Sequence, residues 1–377
     1  MSLSWTLASR NLFQDRLRFA ATIVGIVFSI VLVIVQLGLY LGFGHMVTTM
    51  IDHGHADLWV LAKGTKSFED PSLLDARDAE RVSAVDGVAQ ASPVLIGFAE
   101  WQMPNGDATP VLVVGSDLKP GDMVPWNVTE GSLQALNEPG AVAVDRTYFS
   151  RLGVSGLGST AKIRDQQVKV TAVTSGIRSF TTTPFVFCKL DRAHRYTGIP
   201  TGKASHFLVR LKPGANADEV RDRIASTVPD IEVLTTAQFR DRSRSFWLFG
   251  TGAGAALFGG ALLGVIVGTV IVAQTLYSST KDHLYEFATL RAIGCSKGYI
   301  YRVITGQALI NAVIGFLIAA CIGFCVVAFT ANSSLPVVLN ASLLISLFAL
   351  TILMCVVSAI ASIARVLRID PVVVMAR

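Results

Sequence analysis

Charge is what this 377-residue chain lacks: Asp, Glu, Lys and Arg make up 16% of it, against 51% hydrophobic residues. A soluble domain carries roughly one quarter charged residues. The shortage is concentrated in three places. No Asp, Glu, Lys or Arg occurs from Phe19 to Gly44, from Ser245 to Thr280, or from Val303 to Ala364. Stretches of about 20 apolar residues cross the ~30 Å hydrocarbon core of a bilayer as helices, so the composition points to a membrane protein. The formal charge of +5 is too small to argue for a nucleic-acid partner.

Catalytic and metal-binding motifs are also missing. There is no Gly-x-x-x-x-Gly-Lys-Ser/Thr. The run Gly198-Ile199-Pro200-Thr201-Gly202-Lys203-Ala204 fails on spacing and lacks the magnesium-binding hydroxyl. The chain is therefore expected not to hydrolyse ATP itself. Without His-Glu-x-x-His, a zinc-protease motif is excluded. Cys321, Cys325 and Cys355 lie in apolar runs, and Cys188 and Cys295 stand apart, so no spacing suggests a disulfide framework or a zinc site. No catalytic residue and no metal site is expected. The first apolar segment is too long for a cleavable signal peptide and no small-x-small site follows it, so it is expected to remain as a span.

What is present reads as an α-helical membrane protein with four transmembrane helices plus an α+β extracytoplasmic domain inserted between helices 1 and 2. The expected segments are a surface helix at 1–18, helix 1 at 19–44, the inserted domain at 45–244 and helix 2 at 245–277. A loop follows at 278–302, then helix 3 at 303–330, a short outer loop at 331–338, helix 4 at 339–364 and a tail at 365–377. Leu3, Leu7, Leu12 and Phe13 gather on one side of 2–18, the pattern of a helix lying on the membrane, or of a charged flank. The polar cluster Ala331–Pro336 divides the last apolar run. Basic residues flank helix 1 (Arg10, Arg16, Arg18), fill the middle loop (Lys281, Arg291, Lys297, Arg302) and close the chain (Arg365, Arg368, Arg377). These ends are thus cytoplasmic and the inserted domain is outside.

Within that domain, strands are expected at Asp57–Ala62, Val88–Gln102, Thr109–Gly115, Ala141–Val144, Ala161–Ile163, Val168–Val173, His206–Leu211 and Ile231–Leu234. Helices are expected at Asp75–Val85 and Ala217–Val228. Pro104-Asn105-Gly106-Asp107 signals a hairpin. Strand–helix–strand at both ends suggests two β-α-β-like halves flanking a β-rich insert over about 120–200.

Several polar or small residues stand out. Gly260, Gly264 and Gly268 are four apart, a stripe that lets two helices approach closely and suits packing of a second copy. Gln36, Gln274, Gln307 and Asn311 interrupt the spans, either as helix–helix hydrogen bonds or as the lining of a substrate path. His53, His55 and Asp57 are either solvated residues at a helix exit or metal ligands with no further support. Asn127-Val128-Thr129 fits the glycosylation triplet, which carries no meaning in a bacterial protein.

The middle loop then supplies a resemblance. Glu286-Phe287-Ala288-Thr289-Leu290-Arg291-Ala292-Ile293-Gly294-Cys295-Ser296 resembles the E-(F/Y)-A-x-L-(R/K)-A-(I/L/M)-G-x-(S/P) motif of type VII ABC permeases, the group of macrolide-exporter, lipoprotein-releasing and division-associated (FtsX-like) permeases. The order of segments and the closing Arg-Ile-Asp-Pro follow the same plan. Gly264–Tyr277, Asp282–Glu286, Gln36–Gly38 and Ala56–Val60 look most like the DevC type. The resemblance implies that Glu286, Phe287, Ala288, Leu290, Arg291, Ala292 and Gly294 form a coupling helix for a separate ATPase. It also implies a homodimer with two cytoplasmic ABC ATPase subunits, a periplasmic membrane-fusion adaptor, an outer-membrane channel, and a place in the bacterial inner membrane. ATP and magnesium would sit on the partner, with no cofactor on this chain. Two readings follow: export of an amphipathic or lipid-like substrate, or a non-transporting transducer that switches an extracytoplasmic enzyme. A membrane-anchored enzyme has no catalytic constellation to support it.

Overall fold

The structure, a computed structural model, describes residues 16–282, 297–331, 333 and 335–366. The coupling segment Glu286–Gly294, residues 1–15 of the expected surface helix at 1–18 and residues 367–377 of the tail lie outside the described residues, whereas Arg16–Arg18 belong to the helix of the first span. Two compact units emerge: Gly42–Gly254 with Asn332–Leu335, and the remainder. Four helices are long and apolar enough to cross a membrane, at Phe19–Met46, Ala253–Ser278, Tyr301–Thr330 and Ala341–Ala361.

The chain enters the inserted domain at the end of α1 (Arg16–Met46) and makes one turn, α2 (Thr49–Asp52). It then runs through β1 (Leu58–Ala62), β2 (Leu74–Asp75), α3 (Asp78–Ser83) and the long β3 (Val88–Gln102). A β-rich lobe follows: β4 (Ala108–Ser116), β5 (Val128–Gly131), β6 (Ala141–Asp145), α4 (Phe149–Leu152), β7 (Thr160–Ile163), β8 (Gln166–Thr174), β9 (Phe185–Lys189) and α5 (Leu190–Thr197). The return passes through β10 (Lys203–Ala204), β11 (His206–Leu211), α6 (Ala217–Thr227), β12 (Ile231–Thr235) and α7 (Thr236–Ser245). Start signals are local. Asn216 accepts from the Asp218 amide at 3.0 Å to begin α6, and Thr235 with Gln238 forms a reciprocal capping box on α7.

Instead of flanking the insert, the two ends of this domain interlock. Strand order begins β12-β1-β11-β3, every neighbour antiparallel. The units β1-α3-β3 and β11-α6-β12 are therefore split β-α-β units, each holding a strand of the other between its own two. Strand β1, Leu-Trp-Val-Leu-Ala, is buried at every position because it is covered on both faces. On one face lie Val82, Val220 and Ile224 of α3 and α6; on the other, Trp59 and Leu61 pack against Phe239 of α7.

Strand β3 belongs to both lobes. Its first half pairs β11, and Leu95 to Gln102 pair β4. At the handover Ser205 takes over the backbone bonding: the Ile96 amide donates to its hydroxyl at 2.8 Å, and that hydroxyl donates to the Ile96 carbonyl at 3.1 Å. The pairings β3-β4-β9-β6-β8-β7 return to β3, closing a small barrel. Alternate residues of its strands, including Trp101, Val111, Val142, Ile163, Val170 and Val186, fill its core. The β3–β4 turn is where the hairpin signal predicts it, and Gly106 takes the left-handed φ of 93° that the turn requires.

The membrane unit joins α1 to α8 (Ala253–Asp282), α9 (Lys297–Thr330) and α10 (Ala341–Val366). Ile26, Ile30 and Ile34 of α1 share its core with Ala308, Ala312 and Phe316 of α9, Val272 of α8 and Cys355 of α10. Between α9 and α10 the chain is held by a backbone bond, Val338 N donating to Gly38 O at 3.1 Å, and Asn340 caps α10 as its side-chain Oδ1 accepts from Leu343 N at 2.7 Å.

Candidate functional site

The glycine stripe faces the first span of the same chain. A Cβ added at Gly260 would lie 2.7 Å from Gln36 Nε2, and one at Gly264 would lie 3.0 Å from Val33. At Gly268 it would overlap the Ser29 side chain. The closeness is used: Ser29 Oγ donates to Gly264 O at 2.6 Å, and Ser358 Oγ of α10 donates to Thr269 O at 2.9 Å. Small residues at this spacing thus bring α8 against α1 backbone to side chain, with the Ser29 hydroxyl sealing that contact and Ser358 tying α8 to α10.

The polar positions in the spans separate. Gln36 is half-buried beside Gly260, and Gln274 is exposed. Gln307 and Asn311 are both buried on α9, and neither amide atom of Asn311 has a partner among the described residues. Structure thus groups Gln307 with Asn311 and Gln36 with the stripe, and leaves Gln274 apart.

Within the outer domain, α2, β1, β12 and α7 build a joint. Asp52 of α2 accepts from Arg240 Nε of α7 at 2.6 Å. Thr236 Oγ1 donates to Ala56 O at 2.5 Å and accepts from Trp59 Nε1 at 3.2 Å. Phe43, Phe180 and Trp247 form an aromatic cluster, edge-on and tilted, with centroids 5.0 Å and 4.4 Å apart. Arg242 pairs with Glu232 of β12. Helix α7 is therefore tied to β1 and β12 of the sheet as well as to α2. Past the joint, α7 passes into a π-helix at Phe246–Gly250 and a left-handed Gly252 (φ 77°) before α8 begins. The start of α7 is written in the sequence, where Thr235-x-x-Gln238 carries the capping-box signal.

A second set of residues has no sequence signature. Segment Ser67–Glu69 lies between the two lobes. Phe68 N donates to Ser243 Oγ at 3.2 Å, and Phe68 O accepts from His206 Nε2 at 3.2 Å. Glu69 Oε1 accepts from Ser179 Oγ at 3.5 Å, and Ser179 N donates to the Tyr148 hydroxyl at 2.9 Å. Glu69 Oε2 and His206 Nδ1 are unpartnered among the described residues. Burial pushes the Glu69 carboxyl up to about 8 and the His206 imidazole down to about 4, disfavouring both charged forms.

His53, His55 and Asp57 do not converge on a common point. The His53 ring stacks on Trp126 at 3.9 Å, His55 is exposed, and Asp57 Oδ2 accepts from Leu211 N at 2.8 Å. Among the described residues no group of three His, Cys, Asp or Glu could hold a metal.

Residues 19–227 match the MacB-like periplasmic core domain, and residues 258–371 match the FtsX-like permease C-terminal domain. Two Mycobacterium tuberculosis proteins, from strains CDC 1551 and H37Rv, are each 24% identical over 97% of this chain and 97% of their own length; both are described as uncharacterized ABC transporter permeases. Solved structures similar to the inserted domain include the periplasmic region of MacB from Actinobacillus actinomycetemcomitans (12% identity, TM-score 0.39, covering 50% of this chain and 92% of that one). The extracellular domain of the noncanonic ABC-type transporter YknZ from Gram-positive bacteria is another (13% identity, TM-score 0.36, covering 48% and 99%). With one family match over the inserted domain and the other over the last three spans, the chain belongs to the ABC transporter permeases built from a MacB-like periplasmic core domain and an FtsX-like permease domain.

Proposed function

We propose that this permease couples ATP hydrolysis on a separate ATPase to extrusion of an amphipathic or lipid-like substrate, by moving its extracytoplasmic domain. The family implies an ATPase partner. In this reading Glu286, Phe287, Ala288, Leu290, Arg291, Ala292 and Gly294 form the helix on which that partner presses, with Phe287 and Leu290 one turn apart as its apolar anchor. Two copies and two ATPase subunits work together, the copies meeting through outward faces of the spans while the glycine stripe sets the packing inside each. A periplasmic adaptor and an outer-membrane channel complete the DevC-type assembly.

The joint carries this reading. A helix tied to β1 and β12 by Thr236–Trp59 and Arg242–Glu232, and to α2 by Arg240–Asp52, passes displacement to the domain as a body. Loose loops would absorb it. The test is extraction of a fluorescent lysophospholipid from proteoliposomes holding the permease and its ATPase, with albumin as acceptor. ATP-dependent extraction is expected. ATP turnover without extraction, together with stimulation of an extracytoplasmic hydrolase, would favour the transducer instead.

A further inference from the structure

At the end of the barrel remote from Tyr148, where β6 begins, the surface opens into a cavity of about 490 Å³. Its lining includes Lys169, Arg192, Arg195, Gln166, Gln167 and Tyr196. Three cations face it and no carboxylate does. This volume falls in the range of small-ligand sites. The Glu69 segment reaches Tyr148 just past the opposite end of β6, and neither it nor the joint contributes a residue to the lining.

The three cations are held differently. Arg192 is buried and fixed, donating through Nη1 to Ala141 O at 3.0 Å and through Nη2 to Asn137 O at 3.2 Å. Arg195 is exposed and pairs with Asp191, a helical turn back, at 2.8 Å. That same carboxylate stands 3.9 Å from Arg192 Nε, outside the lining, and offsets part of the charge. Lys169 sits on β8 opposite Thr160 and makes no ion pair among the described residues. Fold stability accounts for Arg192, which closes two backbone carbonyls. It gives no reason for Lys169 and Arg195 to converge with it, since like charges repel. Guanidinium forks, an ammonium and the side-chain amides of Gln166 and Gln167 together supply N–H donors suited to a polyvalent oxyanion.

We propose that this cavity binds a phosphate-bearing anionic ligand. The proposal does not depend on whether the chain exports anything. Its test uses the full-length chain in phosphatidylcholine nanodiscs, titrated calorimetrically with pyrophosphate, glycerol 3-phosphate and soluble dihexanoyl phosphatidic acid. Lys169→Glu/Arg195→Glu leaves Arg192 and its carbonyl contacts in place and is expected to weaken binding at least about 30-fold, while Lys63→Glu, outside the lining, leaves it unchanged. Binding of the short-chain lipid as well as pyrophosphate identifies a headgroup source. Binding of pyrophosphate or glycerol 3-phosphate without the lipid identifies a soluble phosphoester. If no probe binds at about 1 mM, or if the double variant, with unaltered tryptophan fluorescence, binds as wild type does, the proposal is overturned.

Discussion

Leu290→Asp is expected to abolish co-purification of the permease with its ATPase while leaving membrane insertion intact. Leu290 stands between Thr289 and Arg291 in a segment of mixed charge sign, three residues after Phe287. In the proposed reading its apolar side chain enters a groove on the partner. Truncating such an anchor costs at least about 2 kcal/mol, and placing a carboxylate in a desolvated groove adds to that, so the dissociation constant should rise ~30-fold or more. Leu290→Met keeps the volume and should retain most of the binding. Pull-down from detergent-solubilised membranes, with total permease measured in parallel, separates lost docking from lost protein. Unchanged recovery of the ATPase with Leu290→Asp would remove the coupling-helix assignment.

The second large effect is on pH. Glu69 binds a proton more tightly in the fold (about 8) than in the open chain (4.5), so ionisation above pH 4.5 works against the fold, and the penalty stops growing near pH 8. His206 behaves oppositely: it binds a proton less tightly in the fold (about 4 against 6.5), so stability falls as pH drops from 6.5 toward 4. Between pH 4.5 and 6.5 the two slopes cancel. From 6.5 to 8 Glu69 acts alone and stability declines. Glu69→Gln should remove that decline and raise stability near pH 8 by up to about 5 kcal/mol. Tryptophan fluorescence, to which Trp59 with its ring 6.0 Å from His206 contributes, gives unfolding midpoints across this range. A Glu69→Gln profile parallel to wild type would mean that the carboxyl is not desolvated.

Much of this molecule was legible from local pattern. The spans could be read because uncharged runs have one physical meaning at such lengths. Strands β3 and β11 begin and end where the sequence predicts, at Val88–Gln102 and His206–Leu211. Strand β9, Phe-Val-Phe-Cys-Lys, and helix α5 went unread inside the β-rich insert, although both follow Pro184 without a further breaker. The interlocking of the two β-α-β units and the closure of the barrel depend on pairings far apart in sequence, which no local window contains. The stripe at Gly260, Gly264 and Gly268 illustrates the limit at the site itself. Spacing of four says that a neighbour comes close, but only the fold identifies Gln36, Val33 and Ser29 as that neighbour. Glu69 and His206 are ordinary polar residues in the sequence, and their desolvation arises entirely from how the lobes close over them.

The account's central claim is mechanical: pressure on the cytoplasmic helix moves the outer domain through the joint at Asp52 and Arg240. Spin labels at Asn105→Cys, on the exposed β3–β4 turn, in a background with Cys295, Cys321 and Cys325 replaced by serine, report the distance between the outer domains of two copies. Trapping ATP on the partner ATPase should shift that distance distribution, and Leu290→Asp should cancel the shift. A distribution identical in every nucleotide state, with the ATPase bound and turning over, would contradict the account.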